Sequence, residues 1–175
     1  LFLVAMVMPF RRSQPVLLLG GAFAVGSSIT LIATAFGLAP NTLWFPYLVA
    51  FLVPVGILFM AFENIIACRL DKRLVPAFCF GLVFGFAYSF ILGERMQFAG
   101  GHFLTAVIGF DVGTILAALV AMAVAFSGLA LLFKYVAPER LGSILLSALV
   151  IHTGWHWMIE RGVTLGRFPI PTLYD

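Results

Sequence analysis

Long apolar runs separated by short polar breaks give this chain its pattern. Leu1–Phe10 (LFLVAMVMPF) is apolar and is closed by Arg11 and Arg12. The run VLLLGGAFAVGSSITLIATAFGL follows Pro15 and is broken at Pro40 and Asn41. Three more runs end at the polar segments Arg69–Arg73 (RLDKR), Gly93–Gly101 (GERMQFAGG) and Pro138–Arg140. A last run closes on Trp155, Trp157 and the pair Glu160-Arg161.

About 20 consecutive apolar residues cross a bilayer as a helix. The runs therefore predict helices at about 1–10, 15–38, 43–68, 76–92, 103–136 and 141–159, followed by an irregular tail at 162–175. The first run is half a span long and reads as the second half of a helix that begins upstream. Its charge follows the apolar stretch, the reverse of a signal peptide. The fifth run, ~34 residues or ~51 Å at the rise of an α-helix, exceeds an upright span and predicts tilt or a projecting end. Pro54 predicts a kink in the third. Residues 1–175 thus read as one all-α transmembrane domain, a polytopic helix bundle of about six spans with the first truncated.

Composition agrees with this pattern. The chain is 63% hydrophobic and 10% charged, with a mean hydropathy of +1.14. A soluble domain carries about 25% charged residues, so a soluble enzyme is excluded. The net charge of +3 is spread over short loops without a basic stripe, which excludes a nucleic-acid partner. Arg11, Arg12, Arg69, Lys72, Arg73, Lys134 and Arg140 fall on one side of the predicted bundle, and Arg95, Arg161 and Arg167 on the other. By the positive-inside rule the loops near 11–14, 69–75 and 134–140 are cytoplasmic and the C-terminus lies outside. Cys68 and Cys79 form neither a CxxC nor a disulfide framework.

The stretch Phe80–Phe90 (FGLVFGFAYSF) places Gly81 and Gly85 on one helical face, which permits close approach of a second helix in lipid. Gly109 and Gly113 in the fifth run have the same spacing, with Asp111 between them. The two stretches predict a tightly packed pair.

Five segments in order resemble the HupE/UreJ family, bacterial membrane proteins associated with hydrogenase and urease and regarded as nickel or cobalt permeases. FAVGSSITL (Phe23–Leu31) is similar to the family's FTLAHSLTL, and AFEN (Ala61–Asn64) to ALEN. FGLVFGF (Phe80–Phe86) is similar to FGLLHGF, FDVGTILAA (Phe110–Ala118) to FNVGVELGQ, and GWHWMIER (Gly154–Arg161) to GLYWFFER. The resemblance runs from Leu1 to about Arg161 and implies the fold and a bacterial inner membrane location, while the family's transport activity does not carry over. The departures fall on polar positions: Ser27 and Phe84 stand where the family has histidine, Ala50 where it has an acidic residue, and Ile115 and Ala118 where it has Glu and Gln. Nickel and cobalt favour imidazole and oxygen ligands, so these exchanges imply a closed pathway.

Some polar residues remain. His152 and His156 lie four apart on the last helix, and with Asp111 they define a candidate metal or proton-relay cluster; the competing expectation is a hydrogen-bonded Asp111 and an interfacial His156. Glu63-Asn64 and Glu160-Arg161 read as structural polar pairs at helix ends, and His102 as a solvated loop histidine. The 19 phenylalanines predict an aromatic surface for lipid contact, with pigment or quinone contact as a second use. No hydrolase, metalloprotease, phosphate-loop or dinucleotide motif occurs. The expectation is a non-catalytic, HupE/UreJ-like accessory or structural subunit of a larger respiratory or photosynthetic membrane complex, with no cofactor of its own. A divergent nickel or cobalt permease is the alternative, and an intramembrane enzyme or cofactor-binding protein a third.

Overall fold

The computed structural model describes residues 1–40, 42–66, 69–96, 102–135 and 138–167, except for the side chains of Arg95 and Met96. It contains six helices: α1 (Phe2–Val7), α2 (Ser13–Ala35), α3 (Phe45–Ile66), α4 (Leu70–Met96), α5 (Phe103–Tyr135) and α6 (Glu139–Leu165). No strand occurs among the described residues. In α2 through α5, four helices are long and apolar enough to cross a membrane. α6 carries Glu139 and Arg140 at one end and Glu160 and Arg161 at the other, and falls short of that apolarity.

Predicted boundaries are corrected at both ends of α4, which runs on to Met96 past the expected end near 92, and at the end of α6. The charged segment at 69–73 was expected to be a loop before a helix starting at Pro76, yet α4 begins at Leu70 and contains Pro76. Pro76 lies in the second turn, where it removes the amide donor to Lys72 O, and Asp71 in the first turn offsets the positive helix end. The tail expected to be irregular from 162 is helical as far as Leu165. Within this last stretch Gly162 faces the ring of Phe51 on α3, where a side chain would be crowded. The remainder of the tail, 168–175, lies outside the described residues, as do the predicted ends at Cys68 and Val136.

α1 sits at the centre of the core rather than at its margin. Ala5, Met6, Val7 and Met8 are wholly buried, and they pack with Leu19, Phe23, Met60, Ala61 and Ala77 from α2, α3 and α4. Around it α2 pairs most extensively with α4, and α3 with α6. α2 ends in a Schellman motif: Leu38 N–H donates to Ala33 O at 3.0 Å and Gly37 N–H to Thr34 O at 2.9 Å. Gly37 takes the left-handed φ of 78° that this cap requires.

The glycine face at Gly81 and Gly85 makes a close approach as expected, but its partner is α2 and not α5. A side chain at Gly81 would strike the Phe23 backbone, and one at Gly85 the Ser27 carbonyl and the Thr30 hydroxyl. Gly26 on α2 returns the fit against the Phe78 carbonyl. With backbones this close, the Thr30 hydroxyl crosses the seam to donate to Leu82 O at 2.7 Å. Gly109 and Gly113 have open space in front of them. The buried residues of α5 are Val107, Met122 and Leu129, so its glycines lie on the face turned away from the bundle.

Candidate functional site

The most developed polar arrangement lies where α3 ends and α4 begins. The Arg73 side chain is fully buried and that of Glu63 is 12% exposed. Arg73 Nε stands 3.3 Å from Glu63 Oε2, and Nη1 donates to Asn64 Oδ1 at 2.7 Å. Arg73 Nη2 reaches Ala5 O at 3.4 Å, and Asn64 Nδ2 donates to the same carbonyl at 2.9 Å. Ala5 O belongs to the last turn of α1, where carbonyls lack helical donors. One arginine and one asparagine therefore close the end of α1 while joining α3 to α4. The Phe10 ring covers the guanidinium, with its centroid 5.5 Å away.

Taking both charges out of water is costly unless their remaining groups are also bonded. Here the guanidinium fork meets a carboxylate, an amide oxygen and a backbone carbonyl. Such an arrangement fixes geometry and offers no open position for a substrate. Glu63 and Asn64 were expected to form a structural polar pair, whereas Arg73 was assigned to a loop. The missed signal was spacing: Arg73 and Ala77 share the helical face that continues into Gly81.

A second ion pair closes the neighbouring corner. Arg11 Nε stands 3.3 Å from Glu139 Oε1, and its guanidinium lies 4.1 Å above the Phe133 ring. This contact ties the segment after α1 to the end of α5 and the start of α6.

The residues proposed as a metal cluster are not gathered into one. Asp111 is turned to α2, where its Oδ1 accepts a hydrogen bond from Ser28 Oγ at 3.0 Å. His152 and His156 meet each other edge to face, with ring centroids 4.7 Å apart, and both are exposed. They lie on α6, whose main packing partner is α3, whereas Asp111 lies on α5. Among the described residues no group of three His, Cys, Asp or Glu side chains is placed to hold a metal ion. His102, Glu160 and Arg161 are exposed.

At the interior position where the resemblance has a histidine, Phe84 packs in a cluster of rings. Its centroid lies 5.0 Å from Phe2, 5.4 Å from Phe23 and 6.1 Å from Tyr88. Ser27, at the other histidine position, is buried and donates to Ala24 O within its own helix at 3.0 Å. Ala50 lines a cleft of about 550 Å³ between α3, α4 and α6, whose walls are mostly apolar and whose polar contributor is Arg161.

Four apolar spanning helices, a buried charged junction and an aromatic interior define a multi-pass helical membrane protein. The model of the HupE / UreJ protein family matches residues 1–161, and the chain belongs to that family of membrane accessory proteins of metal handling. No curated protein and no solved structure gives a match.

Proposed function

We propose that the chain is a non-transporting, non-catalytic member of its family, serving as a structural subunit of a larger assembly in the bacterial cytoplasmic membrane. Respiratory and photosynthetic complexes are the hosts that fit an aromatic, lipid- or pigment-facing surface. The observation that carries this reading is Phe84. A phenyl ring packed tilted and edge-on among Phe2, Phe23 and Tyr88 offers no ligand at a position where the resemblance has a histidine. Meanwhile the imidazoles of α6 face outward, where polar groups in lipid need a protein partner. The basic end of the bundle, with Arg11, Arg12, Lys72 and Arg140, faces the cytoplasm on this reading, and the C-terminus lies outside.

Native mass spectrometry after gentle extraction from the source membrane tests it. Stable heteromeric particles containing this chain are expected, together with no nickel or cobalt uptake in cells expressing it alone. A lone chain or homo-oligomer that confers uptake would overturn the proposal.

A divergent nickel or cobalt permease is the second reading, favoured by one observation. The Ser28–Asp111 contact puts an acidic oxygen beside a hydroxyl between two spanning helices, a place where polar groups are usually functional. Uptake abolished by Asp111→Ala and retained in Asp111→Glu would support it. Uptake indifferent to Asp111 would remove it.

A further inference from the structure

The geometry points to a binding site for an anionic phospholipid headgroup at the basic end of the bundle, between the segment after α1, the end of α3 and the start of α6. A cavity of about 230 Å³ opens there, with Arg11, Glu139, Arg140 and Ser143 on its polar side and Ile65 and Ile144 on its apolar side.

The donors converge without a full set of acceptors. Arg11 Nε is shut off from solvent; it stands 3.3 Å from Glu139 Oε1 but is not aligned to donate a hydrogen bond to it. Arg140 is exposed, and neither it nor the Ser143 hydroxyl is engaged by another described side chain. The α6 start adds to the field, because Pro138 provides no side-chain cap and the first internal bond is Gly142 N–H to Pro138 O. Its first amides therefore leave partial positive charge at this helix end, whose first residues border the cavity. Glu139 opposes an anion, but Arg11 faces it directly, leaving the Arg140 charge for the ligand. Asn64 also borders the cavity, but its amide is already committed to Arg73 and Ala5.

A phosphodiester fits these donors, and the surroundings favour one attached to a lipid. The cavity lies at the end of α3 and the start of α6, and its Ile65 and Ile144 wall continues along α6 to the exposed Leu141 and Leu145. An acyl chain can follow that surface while the phosphate stays among the arginines. Basic pockets between spanning helices bind such headgroups. The site does not depend on whether the protein transports an ion or supports a complex.

The test uses the intact chain, delipidated in detergent and then offered phosphatidylglycerol, phosphatidylethanolamine or inorganic phosphate, with bound species counted by native mass spectrometry. Wild type is expected to retain phosphatidylglycerol at least about fivefold better than phosphatidylethanolamine, the effect of one added charge near the surface. Arg140→Gln should remove that preference; its exposed side chain makes no ion pair, and circular dichroism would verify the fold. Glu139→Gln, which removes the competing carboxylate, should strengthen it. Equal retention of the two lipids by wild type, or an unchanged preference in Arg140→Gln, would overturn the site. Binding of inorganic phosphate without retention of phosphatidylglycerol would overturn its assignment to lipid.

Discussion

Arg73 donates to Asn64 across 2.7 Å in a place where the arginine side chain has no exposed surface. The contact joins the start of α4 to the end of α3, and both residues then share the Ala5 carbonyl of α1. Removing the arginine takes away the cation that stands 3.3 Å from the mostly buried Glu63 carboxylate. Breaking such a pair on one side costs about 3–5 kcal/mol. Arg73→Ala should therefore lower the thermal midpoint in detergent strongly, and Arg73→Lys should lower it less because it keeps the charge while losing the fork. The double variant Glu63→Leu/Arg73→Met should recover much of the loss, since apolar replacement of a whole buried pair is often neutral. A midpoint unmoved in Arg73→Ala would show that the junction contributes nothing.

The four glycines spaced four residues apart divide into two pairs that should respond in opposite ways. Alanine at Gly85 brings a methyl group into the Ser27 carbonyl and the Thr30 hydroxyl, and alanine at Gly81 into the backbone at Phe23. Neither obstacle is a flexible side-chain tip, so α2 and α4 must separate. Overpacking of this kind costs about 1–3 kcal/mol. Gly109 and Gly113 have nothing in front of them, so alanine there should gain up to ~1 kcal/mol each from helix propensity alone. Thermal melts of Gly85→Ala beside Gly113→Ala give the comparison. Equal shifts in the two variants would contradict the packing described.

That division marks how far the sequence could be read. The period and length of the apolar runs gave all six helices, because a bilayer demands long apolar segments and leaves few alternatives. Spacing identified Gly81 and Gly85 as a close-packing face, but the same spacing at Gly109 and Gly113 is equally good as a pattern and faces outward. Glycine periodicity reports that a face is narrow, and the partner is chosen by what stands opposite. Arg73 was hidden for a related reason: in a short charged segment, one buried arginine looks like its solvated neighbours Arg69 and Lys72. Its continuity with Ala77 and Gly81 on one face was the available clue. Asp111 was legible as a carboxylate needing a partner, although the partner is Ser28 and the histidines lie elsewhere.

The Ser28–Asp111 hydrogen bond provides the polar tie between α2 and α5 at that level. Interhelical bonds of this type in membranes couple by about 0.6 kcal/mol on average and up to about 1.7 kcal/mol. A double-mutant cycle of Ser28→Ala and Asp111→Ala should fall in that range. Unfolding in mixed micelles with a graded denaturing detergent would measure it. A coupling indistinguishable from zero would mean that Asp111 is held by something other than Ser28.

His152 and His156 separate the stability of the bundle from its use. Both rings are exposed on α6 and touch each other rather than the core. Replacing both with leucine should leave the thermal midpoint of the isolated chain within about 0.5 kcal/mol of wild type, as for other surface exchanges. If the outward imidazoles meet a neighbouring subunit, the same double variant should lose its companions when extracted from the source membrane. Native mass spectrometry of the extract reads that loss directly, and the single variants His152→Leu and His156→Leu show which ring is used. Retained companions in the double variant would move the interface to another surface, and the exposed face of α5 is then the next to substitute.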